Sequence, residues 1–209
     1  MAKRNKIPKV LFRHCDDMEH IIVSRNGVLL HDGYEGFPIL RADQVLECLA
    51  ECRIIELEKE VIRKSTVIIE EKEIKVEFDD TNKIEVFADD FYVEQVITNY
   101  LTNAVKHVQE INGKKIIRIQ NEINEEKNVV VVRIFNTGEN IKEEYRNRIW
   151  NRFYKVDESR NRKDGSTGIG LSVVKAIMNN YQKDYGFENK IDGVEFYFEL
   201  DLNKGENHV

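Results

Sequence analysis

Asn99, Asn103 and Lys106 stand four and three residues apart in the stretch Asn99-Tyr-Leu-Thr-Asn103-Ala-Val-Lys106-His107. On a helix that spacing puts two carboxamides and one ammonium on a single polar face. Such a set suits a metal–phosphate ligand. A carboxamide oxygen can complete the octahedral shell of a Mg²⁺ held mostly by water and phosphate oxygens. A lysine one turn on can reach the same phosphates. The same residues would also serve an ordinary solvated face, so the spacing needs support from elsewhere in the chain.

That support comes from two further clusters. Asn136-Thr-Gly138-Glu-Asn-Ile141 follows directly on an apolar run, Val129 to Phe135. A carboxamide at a strand end can accept a hydrogen bond from an exocyclic amine such as that of adenine. Gly138 leaves room for a flat ligand. An ordinary strand-to-helix turn would use the same residue types. Gly165-Ser-Thr-Gly168-Ile-Gly170-Leu171 opens a helical pattern, and the N–H groups of a helix start can hold phosphate. There is no G-x-x-x-x-G-K-[ST], so the site is not of the Walker type, and H-R-D and D-F-G are absent.

The elements that must position these clusters are legible in the periodicity. Val93, Val96, Ile97, Tyr100, Leu101, Ala104 and Val108 mark one face of a helix beginning near Asp90, with Asp89 or Asp90 as its N-cap. Ile74-Lys-Val-Glu-Phe78 and Ile84-Glu-Val-Phe-Ala88 alternate as strands around a turn composition. Ile116 to Ile123 and Val129 to Phe135 predict an antiparallel hairpin. Lys142 to Trp150 can form a helical turn or two, Ile169 to Tyr181 a helix, and Gly193 to Leu202 a closing strand. Residues 155–168 are charged and glycine-rich without periodicity, and predict a mobile loop. The order gives an α/β protein, a two-layer sandwich of a mixed sheet with helices on one face.

Four motifs now stand in one order over about 80 residues: N-Y-L-T-N-A-V-K-H, N-T-G-x-x-I, I-W-N-R-F-Y-K-V-D and G-S-T-G-I-G-L-S-V-V-K. In these the chain resembles the catalytic, ATP-binding domain of bacterial sensor histidine kinases. That domain belongs to the gyrase/Hsp90/histidine kinase/MutL superfamily with its Bergerat-type fold, and the wording is closest to the vancomycin-resistance type. The resemblance covers about residues 74–202. It implies that Asn103 ligates Mg²⁺ and that Asn99 is the earlier asparagine of the same box. It implies that Lys106 contacts phosphate, with His107 beside the nucleotide. Asn136 takes the place of the adenine-reading aspartate, with Gly138 and Ile141 in its box. Ile149, Phe153 and Tyr154 match the F box, with Arg152 as a candidate phosphate ligand. Residues 155–168 match the ATP lid. Gly168 and Gly170 match the second glycine box, where Thr167, Ile169 and Leu171 complete the nucleotide contacts.

The chain departs from the family in Asn136 for aspartate, Asn140 for a glycine and Ser166 for a glycine. No His-Glu/Asp-Leu/Ile-Lys/Arg-x-Pro string occurs in it, so the phosphoacceptor histidine is expected on another segment or chain. The resemblance therefore implies a protein-histidine kinase catalytic domain, truncated or rearranged at its N-terminus. Its cofactors would be ATP and Mg²⁺. Its partners would be a response regulator and a histidine-bearing dimerisation segment or full-length kinase. A nucleotide-binding docking module with little turnover remains open. An ATP hydrolase of the same superfamily would need a glutamate base where Asn99 stands.

Composition bounds the rest. The chain has 209 residues, 41% hydrophobic and 33% charged, with a net charge of -6 and no concentrated basic stripe. Nucleic acid and anionic membranes are therefore not expected partners. No apolar run approaches the roughly 18 residues of a membrane span, and three cysteines point to a reducing, cytoplasmic setting. Residues 1–40 form an unassigned N-terminal arm in which Asn26-Gly27 suggests a hairpin. Residues 41–73 lack glycine and proline and predict a long helical linker. Its seam of Ala50, Ile54, Leu57 and Val61 could pair two copies through 45–61 or pack on the domain that follows. The catalytic domain is expected over 74–203, with a polar tail over 204–209.

Overall fold

The computed structural model describes residues 12–15, 18–24, 27–30, 52–81, 83–154 and 168–203. Strands β1 (Phe12–Cys15), β2 (Met18–Ser24) and β3 (Gly27–Leu30) form an antiparallel sheet in that order. Val23 pairs with Val28 and Ser24 with Gly27, so the hairpin suggested by Asn26-Gly27 forms.

The sheet that matters for the site has the order β5-β7-β8-β10-β9. β5 (Lys75–Phe78) runs parallel to β7 (Ile116–Asn124). β7 is antiparallel to β8 (Val129–Thr137), β8 to β10 (Gly193–Asp201), and β10 to β9 (Tyr185–Lys190). This is the expected mixed sheet. Val130, Val132 and Ile134 of β8 lie opposite Leu200, Phe198 and Phe196 of β10 and enter the core with them. The alternation carries Asn136 to the same face. The opposite face is open and charged. Arg133 bonds Glu122 at 3.0 Å and Glu195 at 3.2 Å, and its guanidinium lies over the Tyr197 ring.

Helices cover the inner face. They are α1 (Ile54–Lys64), α2 (Thr66–Glu71), α3 (Asp90–His107) and α4 (Gly170–Tyr181). α1 and α4 both pack on α3. The Asp89 side chain caps α3 by accepting from the Phe91 N–H at 2.9 Å. The predicted stripe from Val93 to Ala104 is buried, joined by Val105. Each such fully buried aliphatic side chain contributes about 1.5–3 kcal/mol. At the other end of α3, Lys72 donates to the Val105 carbonyl at 2.9 Å, a cation where the helix dipole favours one.

Four expectations are corrected. The helix over 41–73 is not continuous in its described part. Cys52–Arg53 form strand β4, pairing with β6 (Glu85–Val86), and Ser65 separates α1 from α2. Burying Cys52 completely beside Val86 overrides local helix propensity. Second, the described part of the seam faces its own domain. Ile54 and Val61 are buried and Leu57 packs on the same core, so these residues offer no surface for a homodimer and are no free linker. Ala50 and residues 45–51 lie outside the described residues. Third, the Ile84–Ala88 strand shrinks to Glu85–Val86, because Phe87 and Ala88 turn toward the α3 cap. Fourth, β9 was not predicted, since Phe187 is its one buried side chain. Lys142–Trp150 forms a 3-10 turn at Glu143–Tyr145 followed by turns, and the residues 155–167 expected to form a mobile lid lie outside the described residues.

Candidate functional site

Four pieces of chain meet along the C-terminal half of α3. The first is the helix itself. Asn99, Asn103 and Lys106 are half-buried on its polar side and His107 is exposed. Asn99 donates from Nδ2 to the Gln95 carbonyl at 2.7 Å, which turns its Oδ1 outward. That oxygen lies against Gly170: a Cβ there would be 2.6 Å from it. The first residue of α4 and the first asparagine of α3 therefore touch. The Asn103 side chain makes no hydrogen bond among the described residues, so its carboxamide oxygen remains available as a hard ligand.

The second piece is the end of β8. Asn136 is 3% exposed and points into the helical layer. Its Nδ2 donates to the Thr137 carbonyl at 3.1 Å, which assigns the nitrogen and leaves Oδ1 as the acceptor. Thr137 ties this end to the segment after α3. Its Oγ1 accepts from the Ile116 N–H at 3.1 Å and donates to the Gln109 carbonyl at 2.7 Å. Its own carbonyl accepts from the Gln109 N–H at 2.9 Å. A carboxylate at 136 would face the Thr137 carbonyl with no donor between them. Asn136→Asp is therefore expected to destabilise the protein by about 1–3 kcal/mol. The cost should grow as pH rises, because the buried carboxyl resists ionising. Thermal melts at pH 5 and pH 8 check this, and equal melting of variant and parent at pH 8 would refute it.

The third piece is the loop after β8. Gly138 has φ +150, donates its N–H to the Asp192 carbonyl, and sits beside the His107 carbonyl. Asn189 holds Ile141 at both backbone groups. It accepts from the Ile141 N–H at 3.0 Å and donates to the Ile141 carbonyl at 2.8 Å.

The fourth piece joins the F box to the second glycine box. The Phe153 N–H donates to the Gly168 carbonyl at 2.9 Å. Phe153 and Gly168 both have left-handed backbones, and Gly168 packs on the Phe153 backbone and the Tyr154 carbonyl. Arg148 lies over the Tyr154 ring and Ile149 is buried beneath. α4 begins after Ile169, and among the described residues no side chain caps its N-terminus. Its first-turn N–H groups have no internal competitor there for an anion. Leu171 packs on the core.

Of the expected site residues, the structure brings together Asn99 with Gly170, Asn136 with Gly138 and the His107 backbone, and Phe153 and Tyr154 with Gly168. Arg152 is exposed on the turn before Phe153 and no bond ties it to the other three pieces. Thr167 lies outside the described residues. Sequence reasoning missed Thr137, Gln109 and Asn189, which act through backbone groups, and Gly193. Gly193 could have been flagged by Asp192-Gly193, a turn dipeptide. Among the described residues there is no cluster of three or more His, Cys, Asp or Glu, so a metal here would rely on carboxamide, phosphate and water oxygens. No described helix is long and apolar enough to cross a membrane.

Comparison with known proteins bears on the domain as a whole. Residues 88–204 match the family model described as histidine kinase-, DNA gyrase B-, and HSP90-like ATPase. The sensor protein VanSB of Enterococcus faecalis is 30% identical over 115 residues, covering 55% of this chain and 25% of that protein. The signal transduction histidine-protein kinase BarA of Escherichia coli is 30% identical over 126 residues, covering 59% of this chain and 14% of BarA. The chain thus spans a quarter or less of these relatives. Among solved structures, the nucleotide-free catalytic domain of histidine kinase ThkA superposes with a TM-score of 0.63 at 27% identity, covering 73% of this chain and 94% of that one. ThkA in complex with the response regulator protein TrrA matches with a TM-score of 0.58 at 26% identity, over 74% of this chain and 42% of that one.

Proposed function

Because the chain belongs to the histidine kinase-, DNA gyrase B- and HSP90-like ATPase family, we propose that it is the catalytic domain of a two-component sensor histidine kinase. In this reading it binds Mg-ATP and presents the γ-phosphate to a histidine on another segment or chain. The observation that carries the reading is the contact of Asn99 with Gly170, which sets the polar face of α3 against the uncapped start of α4. One surface then offers a carboxamide ligand, an ammonium and free helical N–H groups to a single polyphosphate.

The reading assigns these roles. Asn136 Oδ1 accepts from the adenine amine. Asn103 holds Mg²⁺ through its carboxamide oxygen. Lys106 and the first turn of α4 hold phosphate oxygens. When bound, Mg²⁺ neutralises charge on the transferring phosphoryl group, and the protein otherwise acts by positioning. Asn99 is a positioning residue. Its Nδ2 is held by the Gln95 carbonyl, and a carboxamide has no basic site to take a proton from water, which argues against hydrolysis as the main activity. Arg152 is the candidate phosphate ligand from the F-box side. The partners of this reading are a response regulator, of the kind bound by ThkA, and a histidine-bearing dimerisation segment. The setting is cytoplasmic, and the catalytic unit includes α1 and α2.

The test is titration calorimetry with a non-hydrolysable ATP analogue, with and without Mg²⁺. Asn103→Ala is expected to weaken binding by about 1–3 kcal/mol only when Mg²⁺ is present. Parent-like affinity in Mg²⁺ would remove Asn103 from the metal role. Transfer of γ-label to an added histidine-bearing segment separates a kinase from a docking module, which would bind without turnover.

A further inference from the structure

Away from the proposed nucleotide site, α1 meets the sheet through a buried glutamate and a half-buried asparagine. Glu58 of α1 is 0% exposed. Asn121 of β7 donates from Nδ2 to Glu58 Oε2 at 2.7 Å. The two buried side-chain polar atoms left without a partner among the described residues are Glu58 Oε1 and Asn121 Oδ1. Both belong to this one pair, and as a carboxylate and a carboxamide both are acceptors. A proton on Oε1 converts one of them into a donor and satisfies the other.

Among the described residues, the surroundings supply no cation to do the same work. Asp90, Asp89 and Glu58 all act on Cys52 of β4, and each holds its thiol further above the usual range, already raised by burial. Tyr181 of α4 meets the backbone of Asp89. These facing groups are acids. The lysines of α1 point elsewhere: Lys59 pairs with Asp80 at 2.6 Å and Lys64 with Glu94 at 2.7 Å. On β7, Glu122 pairs with Arg133 on the opposite face of the sheet.

We propose that Glu58 is held as the neutral acid and forms with Asn121 a proton-bound clasp that fastens α1 to the sheet and opens at alkaline pH. Burial acts in the same direction, pushing the carboxyl from 4.5 to about 8 against the lowering influence of the Asn121 bond. The sign follows from proton counting. Between those two values the folded chain holds a proton that the unfolded chain has lost. Stability from the clasp is therefore complete below the ordinary carboxylate value, falls as pH rises, and is gone above about 8. Since α1 packs on α3, opening the clasp frees the helix that carries Asn99 and Asn103 on one flank. The inference does not depend on nucleotide binding.

The experiment is urea unfolding of the full chain and of Glu58→Gln across this pH range. Glutamine keeps the paired geometry with Asn121 but cannot titrate. The ratio of the two folding constants, parent over variant, is expected to fall about tenfold per pH unit until it levels near pH 8. A flat ratio would overturn the proposal. Should Glu58→Gln not fold, infrared spectra of ¹³C-glutamate-labelled parent decide the matter near neutral pH. One protonated glutamate carbonyl supports the clasp, and carboxylate bands alone overturn it.

Discussion

Gly193→Ala is expected to destabilise the protein by about 3–5 kcal/mol, the upper end for one substitution, and to lower Tm by roughly 10 °C. Gly193 pairs with Thr137 of β8 on one side and Lys190 of β9 on the other. A Cβ built there would stand 2.0 Å from the Asn136 carbonyl oxygen and 2.8 Å from Phe135 Cε2. The first of these is backbone paired in the last rungs of the β8–β10 ladder and cannot rotate aside as a side chain can. β10 must therefore separate from β8 at the end that carries Asn136, and affinity for an adenine nucleotide should fall with stability. Gly186→Ala supplies the control. Its Cβ would meet the tip of the Tyr197 ring at 2.8 Å, and that half-buried side chain can rotate. The control should cost less than about 1 kcal/mol. Thermal melts of both variants test the contrast. Equal melting of Gly193→Ala and Gly186→Ala would mean that β8 and β10 approach less closely than described.

Why some of this was legible in the sequence and some not comes down to periodicity. α3 announces itself because seven inward residues recur at helical spacing and Asp89 caps it. β7, β8 and β10 alternate or run apolar over nine residues each. β9 has little to alternate: it lies at a sheet edge and buries Phe187 alone. The two-residue strands β4 and β6 are too short to carry any period, and their pairing is a tertiary event between residues some thirty apart. The same division runs through the site. Asn99, Asn103, Asn136, Gly138 and Gly170 are legible as candidates because type and spacing coincide. Thr137, Gln109 and Asn189 bond to backbone, which leaves no pattern in residue types. Glu58 is the sharpest case. In sequence it reads as one more charge on the polar side of a helix, among Glu56, Lys59 and Glu60. Only the pairing of β4 with β6 and the packing of α1 on α3 show that its side chain turns inward.

Gly138→Ala is expected to reduce affinity for an ATP analogue by about tenfold or more while leaving a folded protein. Two costs combine. The backbone at 138 has φ +150, which a side chain adopts only with strain of order 1–3 kcal/mol. An added Cβ would also lie 2.9 Å from the His107 carbonyl, with Asn136 Nδ2 and the Gln109 nitrogen at 3.6 Å. The nearest obstacle is thus the last turn of α3 rather than a ligand. This glycine is needed first so that β8 and α3 can close on each other, and only through that closure for the nucleotide. Relief comes from shifting either the loop after β8 or the end of α3. The first pulls on the bond from the Gly138 N–H to the Asp192 carbonyl. The second moves Lys106 and His107 relative to Asn136. Either motion alters the distance between the groups assigned to adenine and those assigned to phosphate. A nucleotide must span both, so affinity should fall more for the triphosphate than for adenosine alone. Calorimetry with both ligands reads this difference. An equal loss for the two would place the defect at Asn136 itself, and no loss would show that α3 and β8 tolerate the separation.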